Sequence, residues 1–174
     1  MPREREGERV TRFYIADLHL GHDAILTFKR ADGSPLRSFV SIDEMHGAIL
    51  SRWNERVKAT DTVYVLGDVC FKPKFLQLLN ACHGRKVLIQ GNHDQEKASR
   101  YLGFFADVRA YDVKEKCIAS HIPIHPQSLD RWRLNIHGHL HANTLDDPRY
   151  INVSCEQVNF TPITLEEIIR KAGP

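Results

Sequence analysis

The sequence predicts an α/β fold in a single domain over residues 10–174, and two observations support this. Short apolar runs typical of strands alternate along the 174 residues with capped or amphipathic segments typical of helices. The 42% apolar content is enough to fill a sizeable core in one domain of this length. Five of the apolar runs end in His, Asp or Asn. Because ligands bind at the carboxyl ends of strands in α/β sheets, these endings also predict where a site lies.

The first half of the chain contains three predicted strands and two predicted helices. Ser41 and Glu44 have the spacing of a capping box, which predicts that the first helix starts there and continues to residue 57. Pro73 suits the first turn of the second helix, and Gly84 follows its end. Gly and Pro in the segment 29–40 predict an irregular insertion over the site. The strands are predicted at residues 10–16, 62–67 and 85–90.

The second half of the chain predicts a short helix over residues 95–102 and a closing helix. Thr164 and Glu167 form the capping box that starts the closing helix. Strands are expected in two pairs, and we expect these later strands to form a second, more antiparallel sheet. The pairs are 108–113 with 116–120, and 133–136 with 150–154.

Composition and charge restrict the function classes. The net charge of +2 is too small to argue for nucleic acid, and it suits a small phosphorylated compound equally well. The four cysteines show no CxxC spacing, which indicates reduced thiols and a cytoplasmic protein. Residues 1–9 alternate Arg and Glu, so we expect a solvated or disordered tail and no signal peptide. No apolar run approaches the ~18 residues that a membrane helix needs.

The strand endings supply a set of metal-binding side chains. Carboxylate, carboxamide and imidazole groups without thiolate are typical of Mn, Fe or Zn in an active site. The set exceeds what one ion needs, which predicts two ions, and paired ions ~3.5–4 Å apart serve phosphate-ester hydrolysis. The residues are Asp17, His19, Asp68, Asn92, His93, Asp94, His121, His137, His139 and His141.

Five short blocks of this set occur in an order similar to that of the calcineurin-like metallophosphoesterases, of the small bacterial and phage phosphoesterase type. The blocks are Asp17-x-His19, Gly67-Asp68, Gly91-Asn92-His93-Asp94, His121 and Gly138-His139-x-His141. The resemblance implies a four-layer α/β/β/α sandwich, in which two mixed sheets are flanked by helices.

The resemblance also implies roles for these residues. Two divalent cations would promote direct attack of a bridging hydroxide on phosphorus. Manganese is expected, and the same ligands also accept Fe, Zn, Ni or Mg. His93 would face the phosphate and protonate the leaving oxygen, and Asp94 would orient His93. Asp68 would bridge the ions. The first ion would be held by Asp17, His19, Asp68 and His141, and the second by Asp68, Asn92, His121 and His139.

Contacts to the substrate are expected from Asn92, His22 and Arg37, and Arg30 is a further candidate because guanidinium groups pair well with phosphate. Glu156 and Gln157 are expected to hydrogen-bond a metal-binding histidine. Where many relatives carry a further Asp or Arg after Gly-Asp, this chain has Val69, Cys70 and Phe71. Of the remaining histidines, His46 and His83 are expected on the surface and His137 in packing, while His125 is left open.

The predicted substrate is a phosphodiester or a small phosphorylated compound such as a nucleotide. Two alternatives stay open: a phosphomonoesterase of the same fold, and a non-catalytic binding module like the retromer subunit. The second is disfavoured because His93 and every ligand position are filled. Arg131-Trp132-Arg133 is the one hint of nucleic-acid binding. No membrane partner is expected, and the sequence does not specify an oligomeric state.

Overall fold

The first sheet carries four parallel strands and one antiparallel edge strand. The computed structural model describes residues 10–173, and the predicted tail 1–9 lies outside that range. The strands of this sheet are β1 (Arg12–Ile15), β2 (Thr62–Val65), β3 (Arg85–Ile89), β4 (Asp107–Arg109) and β9 (Ile163–Thr164). Strand order is β4-β3-β2-β1-β9, in which β9 is antiparallel to β1. Every residue of β2 is buried, as its apolar run predicted.

The second sheet is also mixed, so the expectation of a more antiparallel sheet is only partly met. Its strands are β5 (Asp112–Lys114), β6 (Cys117–Ala119), β7 (Leu134–His137) and β8 (Tyr150–Asn152). Their order is β5-β6-β7-β8; β5 and β6 are antiparallel, whereas β6, β7 and β8 run parallel.

The predicted single strand 108–113 is wrong. Its two ends belong to different sheets, because the chain leaves β4 at Arg109 and enters β5 at Asp112. The buried Asp112 carboxylate accepts hydrogen bonds from Arg12 in β1 (3.2 Å) and from Arg109 in β4. Asp112 therefore ties the two sheets together at the point where the chain crosses between them.

Helices and 3₁₀ segments alternate with these strands along the chain, and the closing helix contacts β1 and β9. The predicted first helix is confirmed as α1 (Ile42–Arg56), with Ser41 accepting a hydrogen bond from Glu44 N (3.1 Å). Glu44 reaches back to the amide of Val40 rather than to that of Ser41. A complete capping box starts the closing helix at Thr164. The other helices are α2 (Ala98–Tyr101), α3 (Leu165–Lys171) and 3₁₀ segments at Asp23–Thr27, Pro73–Ala81 and Pro126–Arg131.

The buried face of α1 contains one residue that was expected on the surface. Met45, Ile49 and Trp53 are buried in the core, as their helical spacing predicted. His46 is also buried, and its Nε2 accepts a hydrogen bond from Gly21 N at 3.0 Å. Packing against the first loop therefore overrides the surface position predicted for His46.

The two sheets touch where β1 and β8 end. Ala16 forms a parallel bridge with Ser154, with hydrogen bonds from Ala16 N to Val153 O (2.9 Å) and from Cys155 N to Ala16 O (3.0 Å). The architecture is thus α/β with two mixed sheets and helices. All four cysteines are free and buried. Within residues 10–173, no helix has both the length and the apolar character needed to cross a membrane.

Candidate metal centre

The loops after β1, β2, β3, β6 and β7 converge where the sheets meet. The first two loops are hydrogen-bonded to each other, from Asp17 N to Gly67 O (3.1 Å) and from His19 N to Asp68 O (3.0 Å). The loop after β7 joins them through a hydrogen bond from His139 N to Asp17 Oδ2 (2.9 Å). Side chains from both sheets therefore face one place, as the strand endings predicted.

Most of the candidate ligands have a left-handed backbone conformation. Non-glycine residues adopt it at a cost of ~1–3 kcal/mol, and such residues are concentrated at functional sites. Here it turns each loop sharply just after its strand. The residues are Asp17 (φ 58°), His19 (φ 50°), Asp68 (φ 51°), His139 (φ 69°) and His141 (φ 50°).

Two glycines allow the loops to approach each other closely. A Cβ at Gly67, whose φ is +79°, would lie 2.5 Å from His121 Nδ1. A Cβ at Gly138 would lie 2.6 Å from Asp17 Oδ2. A side chain at either position would displace a candidate ligand.

Asp17, His19 and His141 form the first of two groups that could hold a cation, with ligand atoms within 4.8 Å of one another. Asp17 Oδ1 and His19 Nε2 are buried, lack any hydrogen-bond partner and lie 3.9 Å apart. Unpaired polar atoms of this kind are costly to bury, and a shared cation would satisfy both.

The pKa values in the first group fit a cation as well. Burial raises the pKa of Asp17 to about 6, which a bound positive charge would reverse. Burial, together with the nearby charge of Arg37, lowers the pKa of His19, so its imidazole is neutral and keeps a lone pair for a metal.

Asp68, His121 and His139 form the second group. His121 Nδ1 lies 2.8 Å from the carbonyl oxygen of Leu66, which turns Nε2 toward Asn92 Oδ1 (2.9 Å) and Asp68 Oδ1 (3.4 Å). The other Asp68 oxygen, Oδ2, lies 3.7 Å from His19 Nε2. One carboxylate therefore faces both groups.

Arg37 does not face the cleft as was expected of a substrate-binding residue. Its buried guanidinium donates hydrogen bonds to Glu156 Oε1 (2.7 Å), Leu18 O (3.1 Å) and Asp17 O (2.5 Å). Glu156 Oε1 is in turn 3.1 Å from His141 Nδ1. Because all three of these oxygens accept hydrogen bonds from its guanidinium, Arg37 holds the backbone of Asp17 and the Glu156 carboxylate in place behind the first group.

Glu156 hydrogen-bonds the candidate metal ligand His141, as was expected of it. Burial alone would raise the pKa of Glu156, but hydrogen bonds and charge from His141 and Arg37 lower it, so the carboxylate is ionised. Gln157 also contacts His141, although through the backbone carbonyl at 3.0 Å.

Asp94 has a different role from the one predicted. Its buried carboxylate accepts hydrogen bonds from the amides of Gly91 (2.8 Å), Asp68 (2.9 Å) and Val69 (3.0 Å). These bonds join the loop after β3 to the loop after β2. Asp94 therefore fixes the backbone around Asp68 rather than orienting the His93 ring.

The open side of the site is lined by aromatic rings. His93 is exposed, and its amide donates a hydrogen bond to Asp68 Oδ1 (2.9 Å). His22 stacks on Phe71 with centroids 3.8 Å apart, and its Nδ1 lies 3.2 Å from His19 Nδ1. Phe71 was not predicted as a site residue; the only signal was its position after Gly67-Asp68. Asn92 is exposed beside His93.

Three further candidates are not members of the two His/Asp groups. Arg30 is exposed and its Nε donates to Pro35 O (3.4 Å). His137 is buried with Nδ1 2.8 Å from Gly138 O, which agrees with a packing role. His125 is exposed and caps the 3₁₀ segment that follows it.

The fold and the two groups define an α/β protein with two neighbouring His/Asp groups that could hold metal ions. No protein-family model matches the chain. It is 31% identical to the uncharacterized protein MJ1445 of Methanocaldococcus jannaschii, over 91% of this chain and 89% of that protein. The chain belongs to the same family as this archaeal protein.

Two further comparisons extend over most of the chain. The Gene 66 protein of Mycobacterium phage D29 is 27% identical over 83% of this chain and 87% of its own. The crystal structure of AQ665, a protein of unknown function from Aquifex aeolicus, matches with a TM-score of 0.70 and 27% identity. That match covers 93% of this chain and 99% of the other. The Aquifex structure therefore shares the fold described above.

Proposed function

We propose that this protein is a dinuclear metal-dependent phosphoesterase of the calcineurin-like kind, with the four-layer arrangement of that superfamily. One observation carries the proposal. Asp68 Oδ1 faces His121 in one group and Oδ2 faces His19 in the other, which is the geometry expected of a carboxylate that bridges two cations.

The charge of such a site favours an anionic substrate. Two divalent cations contribute +4 and the carboxylates of Asp17 and Asp68 contribute −2, which leaves about +2 facing the cleft. When bound, the ions would neutralise phosphate oxygens and lower the pKa of water at the site. A phosphodiester or a small phosphorylated compound fits this charge.

We propose that His93 acts on the leaving oxygen. Its amide is bonded to Asp68 Oδ1, so its position is fixed relative to both groups while the ring stays exposed. In our proposal the ring donates a proton to the oxygen that leaves phosphorus, and the exposed Asn92 contacts the phosphate. Asp94 contributes indirectly, by holding the backbone of Asp68 and Gly91.

The first test is hydrolysis by metal-stripped protein that is reloaded with Mn, Ni, Zn or Mg. An aryl phosphodiester and an aryl phosphomonoester are compared side by side. His93→Ala should lower turnover by ~10²–10⁴ while the metal content stays near normal. His83→Ala is the matched control, because His83 is an exposed histidine just before β3, at the edge of the sheet opposite the site. Loss of metal in His93→Ala would contradict the role given to His93.

A second test addresses the bridging carboxylate. Asp68→Asn should weaken both ions together, since it removes a charge that both groups share. Asp146→Asn, in an exposed loop, should leave two ions per chain. Two tightly bound ions and full activity in Asp68→Asn would refute the bridging role. Two ions per chain without turnover of any substrate would favour a binding module over an enzyme.

A further inference from the structure

A pocket of about 300 Å³ opens beside His93. Its lining includes Phe71, Pro73, Glu96 and Tyr101 as well as His93. None of the six residues in the two His/Asp groups, all of which the structure describes, is among the lining residues. The pocket therefore lies next to the metal centre on the side of His93, and not over the candidate ligands themselves.

Phe71 gives this pocket a fixed aromatic wall. Phe71 is 42% exposed although it is a large apolar residue. His22 stacks against it at 3.8 Å with an angle of 10° between the planes, and the His93 ring lies 4.9 Å away. The backbone amide of Phe71 donates a hydrogen bond to Leu20 O at 2.9 Å. Because backbone and ring are both held in place, Phe71 is prepared to stack on a planar group.

The charge in the pocket disfavours a second phosphate. Glu96 supplies a carboxylate, and no lysine or arginine is among the described residues that line the pocket. The nearest cationic partner of Glu96, Arg100, is bonded to it at 3.1 Å, on the exposed face of α2. An uncharged group with hydrogen-bond donors fits this lining, whereas an anion would be repelled by Glu96.

We propose that this pocket is the leaving-group subsite and takes an uncharged planar group, such as an aromatic alcohol or a nucleoside, stacked on Phe71 beside His93. The proposal rests on the proposed phosphoesterase function. In the hydrolysis, a water oxygen forms the new P–O bond and the bond from phosphorus to the leaving oxygen breaks. The leaving oxygen keeps the electron pair and takes a proton from His93, and the proton lost by water is released to solvent, from which His93 is reprotonated.

The test compares phosphonates that differ only in the group on phosphorus. Binding of methylphosphonate and phenylphosphonate to manganese-loaded protein is measured by calorimetry. The phenyl compound should bind about ten-fold more tightly, since stacking of one planar ring on an aromatic side chain is worth a factor of this order. Phe71→Ala should reduce the preference to less than about two-fold, and Phe71→Tyr should keep it.

Phe28→Ala is the matched control. Phe28 is also exposed (46%) and contacts His22 edge-on, but it does not line the pocket. This variant should keep the phenyl preference. A 4-carboxyphenyl phosphonate should bind several-fold more weakly than phenylphosphonate, and Glu96→Gln should remove this difference in affinity.

The outcomes separate this proposal from the function on which it rests. Equal binding of the two phosphonates, or a phenyl preference that survives Phe71→Ala, overturns the subsite even when phosphoesters are hydrolysed. A phenyl preference that depends on Phe71 in a protein that hydrolyses no phosphoester overturns the leaving-group assignment and the phosphoesterase proposal together.

Discussion

Replacing Arg37 by Met tests whether the metal centre depends on a buried ion pair beneath it. The side chains of Arg37 and Glu156 are fully buried and bonded at 2.7 Å, and Arg37 also bonds the carbonyls of Asp17 and Leu18. Arg37→Met fills a similar volume but leaves the Glu156 carboxylate buried with His141 as its remaining partner.

The expected magnitude follows from the burial of both charges. Breaking a buried ion pair on one side costs about 3–5 kcal/mol, because the remaining charge is left uncompensated. For a chain of this size the melting temperature should fall by about 10 °C. Metal affinity should also fall about 10- to 100-fold, since Arg37 then no longer fixes the Glu156 carboxylate that orients His141.

Chemical and thermal unfolding of the metal-free protein measure the first effect, and metal titration measures the second. Arg149→Met is the matched control, because the Arg149–Asp147 pair is 46% and 27% exposed and should contribute less than about 1 kcal/mol. An Arg37→Met variant as stable as Arg149→Met would refute the argument. In the double variant Arg37→Met with Glu156→Gln, part of the lost stability should return, because the unpaired charge is gone.

Three further predictions concern the loops and the closing helix. Gly67→Ala should lose one of two bound ions, counted by metal analysis, because its Cβ would displace His121. The control Gly33→Ala should keep both ions, because Gly33 has a similar φ of +82° but no atom lies within 4 Å of the added Cβ. Metal affinity should decrease as the pH is lowered through about 6, since the carboxyl of Asp17 has a pKa of about 6 and must be ionised to bind the metal. A metal affinity that does not change between pH 5 and 7.5 would contradict this prediction. Thr164→Ala should cost about 1 kcal/mol in urea unfolding by loss of the helix cap, without changing metal content.

The position of the candidate site was predictable because its signal is local. Apolar runs such as Thr62–Val65 end directly in Gly67 and Asp68, and a strand buried on both faces can expose polar groups only where it ends. The same reasoning brought Asp17, His19 and His141 to one edge of the fold, where the structure groups them.

Apart from Glu156 and Gln157, the supporting residues were not predictable, because their partners are far away in sequence. Arg37 bonds Glu156, 119 residues further along the chain, and Asp112 bonds Arg12 across 100 residues. Neither the periodicity of apolar residues nor the spacing of polar residues in the sequence indicates such pairs. Asp94 was misassigned for a related reason: its partners are backbone amides, and the sequence does not show which amides a carboxylate reaches.

The bridge between Ala16 and Ser154 has a consequence for folding. The two groups draw residues from both sheets, and the sheets contact each other at this bridge, where residues 138 positions apart in sequence meet. Closing a long loop costs chain entropy, so we expect this contact to form late in folding, after the local pairings have shortened the loop. A compact intermediate with β1–β4 paired and β5–β8 paired, but with the two sheets not docked, would have secondary structure and no complete ligand set. Metal uptake during refolding would therefore report the docking of the sheets, separately from circular dichroism, which reports the formation of strands and helices.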